Sequence, residues 1–274
     1  MKLRAEDVGF SYPSGVHALS NIKLEIRAGE AVAIVGANGA GKTTLVKHFN
    51  GLLRPSRGQV YVGDWDTGSH SVAELATRVA FAFQNPEDQI FKSSVRAEVA
   101  FGPRNLGLNE AEVISNVHKA LDIVGLRKEA DKHPYDLNPS ERKLVTLAGA
   151  LAMDTPVVIL DEPTTGQDSM GLARIVRMIR TLKQSNRTVI VISHDLDFCA
   201  ENLKTVVVMQ NGQIIDHGPA AEIFANEALL RRAELDPPQL VRLSKEIGMR
   251  RAPMSAGEFV RDYADWARAK GKDS

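Results

Sequence analysis

The chain has 274 residues, 43% hydrophobic and 25% charged, enough to bury one large domain or a domain with an appendage. Its 34 basic and 34 acidic residues cancel, so bulk charge offers no attraction for a nucleic-acid partner. A single cysteine, Cys199, excludes an internal disulfide and fits a reducing compartment, and no apolar run approaches the roughly 18 residues of a membrane span.

The opening "MKLRAEDVGFSYPS" has no apolar signal region, so any link to a membrane is expected to pass through a partner. Within and beyond it, "LRAEDVGFSY" and "LSNIKLEIRAGE" alternate polar and apolar residues and look like antiparallel strands, which makes the sheet mixed at its edge. Five runs rich in Val, Ile and Ala follow: "AVAIVG" (31–36), "VAFAFQ" (79–84), "VVILDE" (157–162), "TVIVIS" (188–193) and "TVVVM" (205–209). Alternating with helical-period segments, they predict an α/β domain with a largely parallel sheet buried on both faces. Residues 85 to about 152 lack strand signals, and Val113, Val117, Leu121 and Val124 recur at helical spacing, so a helical insertion is expected there. Sheet signals end with "NGQIIDHGP" (211–219), after which "PPQLVRLSKEIG" and "SAGEFVRDYADWARA" predict a small helical appendage. The expected division is a domain over 1–225, with a helical subdomain at about 85–152, and an appendage over 226–274.

"GANGAGKTT" (Gly36–Thr44) fits G-x-x-x-x-G-K-[ST] between an apolar strand and a helical segment. Gly36, Gly39 and Gly41 let successive N–H groups face phosphate oxygens. Lys42 brings a point charge to the β- and γ-phosphates and Thr43 a hydroxyl to Mg²⁺, while Asn38 and Thr44 complete the phosphate-binding set. "VVILDEP" then delivers two acids at a strand end. Asp161 is expected to orient the Mg²⁺ shell and Glu162 to polarise an attacking water. His194 in "VISHDL" and Gln84 in "AFQNPEDQ" follow two further strands, on the side where open α/β sheets bind ligands.

The assembled order of "FSYP", "GANGAGKTT", a glutamine after a strand, a helical insertion, "VVILDEP", "TTGQD" and "ISH" resembles the ATP-binding cassette ATPases from about residue 3 to 225. That resemblance implies an ATPase using ATP and Mg²⁺, a P-loop fold with a mostly parallel core sheet and an antiparallel edge, and specific roles. Tyr12 would stack on adenine, Gln84 would sense Mg²⁺ and γ-phosphate, Asp168 would contact the opposite subunit, and His194 would be the switch histidine. "SYPSGVHALSNI", "QNPEDQIF", "AFGPRNLGL" and "DEPTTGQD" are similar to the ATPases of energy-coupling-factor importers of metal ions and vitamins. The implied partners are a second ATPase, identical or different, a transmembrane coupling protein and a substrate-capturing membrane subunit. The implied place is the cytoplasmic face of a prokaryotic membrane, with "NPEDQIF" receiving coupling helices and residues from about 226 resembling a dimerising segment.

One motif departs from the pattern. The signature, usually L-S-G-G-Q, aligns with "LNPSE", Leu137–Glu141, so that Asn138, Pro139, Ser140 and Glu141 replace serine, two glycines and glutamine. The signature caps the γ-phosphate of ATP held by the other subunit, and losing one such donor costs on the order of 100-fold in rate. Read locally, Asn138 is a good N-cap, Pro139 suits the first helical position, and Glu141 completes a capping box. Two outcomes stay open: a weakened half-site in a heterodimer, or Ser140 and the helix dipole sufficing. Alternatives to a transport ATPase are a soluble cassette switch in DNA repair or translation, which tends to carry paired cassettes, and a non-hydrolysing regulatory subunit, against which Glu162 and His194 argue.

Overall fold

In the computed structural model, which describes residues 1–249 and 251–270, the N-terminal alternation gives β1 (Leu3–Ser11) and β2 (His17–Ile26), paired antiparallel. The chain then enters β3 (Ala31–Val35), turns through the glycine-rich loop, and forms α1 (Lys42–Phe49). β4 (Arg57–Val62) returns to pair with β1, and β5 (Trp65–Asp66) pairs with β4. Among the described residues these four strands form their own antiparallel sheet, in the order β2-β1-β4-β5.

The expectation that the N-terminal strands edge the main sheet is therefore corrected. Their apolar face, with Leu3, Val8, Ile22 and Ile26 fully buried, forms one core with Leu45, Val46 and Phe49 of α1 and with Val32 and Ile34 of β3. A sheet with one apolar face buries it better by stacking over another layer than by extending an edge. β4 and β5 escaped the sequence reading because "RGQVYV" buries only Val60 and Val62.

The chain continues through α2 (Val72–Ala76), β6 (Val79–Ala82), α3 (Val95–Asn105), α4 (Glu110–Val124) and α5 (Pro139–Ala152). β7 (Val157–Asp161), α6 (Ser169–Gln184), β8 (Thr188–Ile192), α7 (Leu196–Asn202), β9 (Thr205–Gln210) and β10 (Gln213–Pro219) follow. The main sheet runs β10-β9-β3-β8-β7-β6, parallel throughout except that β10 lies antiparallel at the edge, beside β9.

Both faces of that sheet are buried. In β3, Ala31, Ala33 and Val35 join the helical core while Val32 and Ile34 join the core of the second sheet. On α4 the predicted stripe of Val113, Val117, Leu121 and Val124 is buried, between an Asn109–Glu112 capping box and a left-handed Gly125. Three short helices and a longer one close the described chain: α8 (Ala220–Ala225), α9 (Glu227–Arg232) and α10 (Gln239–Glu246), then α11 (Ala256–Lys270). α10 ties to α7 where Gln239 N–H donates to Asp197 Oδ1 at 2.7 Å. Positions 250 and 271–274 of the expected appendage lie outside the described residues. Among the described residues no helix is long and apolar enough to cross a membrane.

Candidate nucleotide site

Every parallel strand that ends near the centre of the main sheet hands over to one of the residues singled out by sequence. The five predicted strands each held, and four of them overran the observed end, reaching into Gly36, Gln84, Glu162 and Ser193.

The loop after β3 requires glycine at its first position. Gly36 has φ +155°, and a β-carbon there would stand 2.3 Å from the Met209 carbonyl oxygen of β9. Asn38 and Gly39 are exposed at the tip, and Gly41 enters α1 without any side-chain cap. The first amides of α1 and its dipole are thus left for an anion. Lys42, on the first turn, folds back so that Nζ donates to the carbonyls of Gly36 (2.7 Å) and Ala37 (3.0 Å). Burial lowers its pKa, opposed by the charges of Glu162 and Asp161. Thr43 Oγ1 donates to Asp161 Oδ2 at 3.0 Å, and Thr44 Oγ1 lies 3.0 Å from the Tyr12 hydroxyl. Tyr12 therefore stands beside the phosphate loop, half-buried, with Phe10 edge-on to its ring.

Asp161 ends β7 and is buried. Its Oδ1 has no hydrogen-bond partner, which leaves one carboxylate oxygen open to a cation beside the Thr43 hydroxyl. Burial pushes its pKa up, the Thr43 hydrogen bond pulls it down, and the Glu162 charge raises it further. Glu162 adopts φ +47°, a left-handed conformation costing a residue with a β-carbon about 1–2 kcal/mol. The turn keeps its N–H on the Ile192 carbonyl at 2.9 Å while swinging the side chain onto His194. Glu162 Oε2 lies 2.8 Å from His194 Nδ1, the carboxylate buried and the imidazole 61% exposed. A carboxylate withdrawn from water and oriented by an imidazole can take a proton from a bound water. Gln84 is exposed just beyond β6, and its side chain makes no bond to this cluster.

Asn138, Ser140 and Asp168 stand apart from these groups. The capping box at α5 forms as read: Asn138 Oδ1 accepts from Glu141 N–H at 2.9 Å, and Glu141 Oε2 accepts from Asn138 N–H at 3.3 Å. Glu141 thus turns its charge back onto the cap. Asp168 caps α6 by accepting Gly171 N–H at 2.6 Å. The Ser140 hydroxyl is engaged within the chain. It donates to Gln167 Oε1 at 3.1 Å, and Gln167 Nε2 donates to the Ser140 carbonyl at 3.2 Å. A β-carbon at Gly171 would come within 2.2 Å of Gln167 Oε1 and 2.8 Å of Ser140 Oγ, so this clasp needs glycine beneath it.

Sequence reasoning missed Gln167 and a second residue, Lys143, which is 3% exposed with Nζ on the carbonyls of Phe83, Gln84 and Asp161. Burial lowers its pKa to about 8, against the pull of Asp161 and Glu162. The signal was its place in "KLVTLAGA", where the buried Leu147 and Ala150 lie four and seven positions on along one helical face.

The family described as ABC transporter matches residues 19–165. The energy-coupling factor transporter ATP-binding protein EcfA of Methanocaldococcus jannaschii is 39% identical over 88% of this chain and 87% of its own length. A relative from Caldanaerobacter subterraneus, named as an ABC transporter ATP-binding protein, is 42% identical over 90% of this chain, which spans 43% of that protein's length. Among solved structures, cbiO1 from Clostridium perfringens, described as part of the ABC transporter complex cbiONQ, superposes with a TM-score of 0.75 at 34% identity, covering 89% of this chain and 98% of its own. With a glycine-rich loop, paired acids and a histidine following the interior strands β3, β7 and β8 of one sheet, and with these relatives, the chain belongs to the ABC transporter family as an ATP-hydrolysing, ATP-binding subunit of the energy-coupling-factor type.

Proposed function

We propose that the chain works on the cytoplasmic face of a membrane as one of two ATPases beneath a transmembrane coupling protein, which serves a subunit capturing a metal ion or vitamin. The observation that carries this reading is an apolar groove of about 530 Å³ between α2, α3, α5 and β6, directly behind the loop bearing Gln84. Phe81, Phe91, Phe101, Val145 and Met153 line it, Phe91 is 60% exposed, and Glu98 is the charged side chain along it. Glu98 spends Oε2 on the N–H groups of Phe91 and Lys92, so the segment after Gln84 is fixed to the groove wall. Such a groove suits a short helix of a membrane partner. We read 1–225 as the ATPase domain, its helical part at about 85–152 as the docking side, and 226–274 as a dimerising appendage; nucleic acid has no role.

Within the site, Tyr12 takes adenine, and Gly36, Asn38, Gly39, Gly41, Lys42, Thr43 and Thr44 take phosphate. The unpartnered Asp161 Oδ1 beside Thr43 supports Mg²⁺ on Asp161, Thr43 and Gln84. Mg²⁺ supplies charge neutralisation on the β- and γ-phosphates. Glu162 accepts the proton of the attacking water and His194 orients the carboxylate. Replacing Glu162→Gln is expected to cut hydrolysis by about 10²–10⁴-fold with ATP binding retained. Gly149 lines the groove with nothing within 4 Å of its missing side chain, so Gly149→Trp should release a polytopic membrane partner while ATP still binds. Retention of that partner on the filled groove would overturn the docking reading.

The α5 terminus supports a second, narrower reading. Pro139 lacks an N–H and Ser140 is held by Gln167, which favours a weakened half-site paired with an ATPase of intact signature. Asn138 and Ser140 then meet the partner's γ-phosphate poorly, while Asp168 faces that subunit.

A further inference from the structure

The lysine buried in α5 touches neither phosphate nor metal in the reading above, yet it sits against both strands that carry the metal end of the site. Lys143 Nζ donates to the carbonyls of Phe83 at 2.9 Å, of Gln84, and of Asp161 at 3.4 Å. β6 pairs with β7 only as far as Ala82↔Leu160, so the Phe83 and Gln84 carbonyls lie beyond the ladder. An ammonium has three donors, and here three carbonyls from two chain segments receive them. The same helix carries at its first turn the clasp of Ser140 on Gln167.

We propose that Lys143 is a positioning residue for ATP hydrolysis: it fixes the backbone at Gln84 and Asp161 in one register, so that both side chains converge on the metal end of the γ-phosphate. It also couples them to α5. A displacement of the α5 N-terminus is carried four residues along a rigid helix to Nζ, and from there to two strand ends of the same chain. The proposal rests on the roles assigned above to Gln84 and Asp161.

The test uses the full chain in its membrane complex, with Mg²⁺ and ATP as probes. Lys143→Met is expected to leave ATP binding without Mg²⁺ intact. It should raise the Mg²⁺ concentration for half-maximal hydrolysis, and lower kcat, each by about 10–100-fold, the range for groups that orient metal ligands. Lys143→Gln, which keeps N–H donors without the charge, should recover part of both losses. A Lys143→Met protein that melts earlier but keeps wild-type Mg²⁺ dependence and kcat overturns the proposal and leaves the lysine a strut. If the Met variant does not fold, Lys143→Gln is combined with Gln84→Ala. A lysine acting through Gln84 as well as Asp161 makes the combined loss smaller than the product of the two single losses, whereas losses that multiply overturn the proposal. If Gln84→Ala alone leaves the Mg²⁺ dependence unchanged, the parent reading of Gln84 fails, visibly and separately, and the proposal falls with it.

Discussion

The N-termini of α1 and α5 are finished in opposite ways. At α1, Gly41 offers no side chain to the first amides, and Lys42 adds a cation to them. At α5, Asn138 takes the Glu141 amide, Pro139 has none to offer, and Gln167 holds the Ser140 hydroxyl. Equal dipoles are thus left open in one case and largely satisfied in the other. The same chemistry that stabilises a helix start, typically by about 1 kcal/mol for a good cap, consumes the donors a phosphate needs. The difference teaches that stability and anion binding compete for the same few N–H groups, and that this chain resolves the competition differently at α1 and at α5.

The strongest way to break that contrast is to give α5 the bareness of α1. In a complex whose own site is silenced by Glu162→Gln, adding Pro139→Gly and Ser140→Gly should raise the remaining ATP hydrolysis by about 10–100-fold. An unchanged rate would mean the helix dipole already suffices. Next in size is an acid effect confined to α1. His48 is fully buried there, with Nδ1 on the Thr44 carbonyl at 2.7 Å and Nε2 unpartnered, and burial lowers its pKa. As pH falls below about 6.5, the unfolded chain binds a proton that the native state refuses, so stability is intact above that pH and declines beneath it by up to about 1.4 kcal/mol per unit. Urea unfolding at stepped pH should show this slope in the wild type and a shallower one in His48→Gln. The smallest effect sharpens the comparison at the clasp: Gln167→Ala should cost about 0.5–1.5 kcal/mol in thermal unfolding. If the freed Ser140 hydroxyl then serves the partner's ATP, hydrolysis there rises a few-fold, and Ser140→Ala in the same background removes the gain.

Local rules made half of this legible. The α5 capping box spans three residues, the α4 stripe is one helix long, and the phosphate loop follows directly from its strand, so each could be read from adjacent letters. What escaped was long-range. Lys143 meets Phe83 across 60 positions and Ser140 meets Gln167 across 27, distances at which spacing carries no information about contact. The N-terminal strands were recognised as strands but assigned to the wrong sheet, because alternation records how many faces are buried and not which layer covers them. Strand ends were overrun at Gly36, Gln84 and Glu162 because these residues lie where extended chain gives way to turns, and an apolar run does not mark that point.

Gly171 gives the clasp a hereditary consequence. The Ser140–Gln167 bond closes over Gly171, where a β-carbon would stand 2.2 Å from Gln167 Oε1 and push that side chain away, so the bond depends on the glycine beneath it. Lineages that carry this α5 terminus should therefore carry all three together, and those that have lost one should have relaxed the other two.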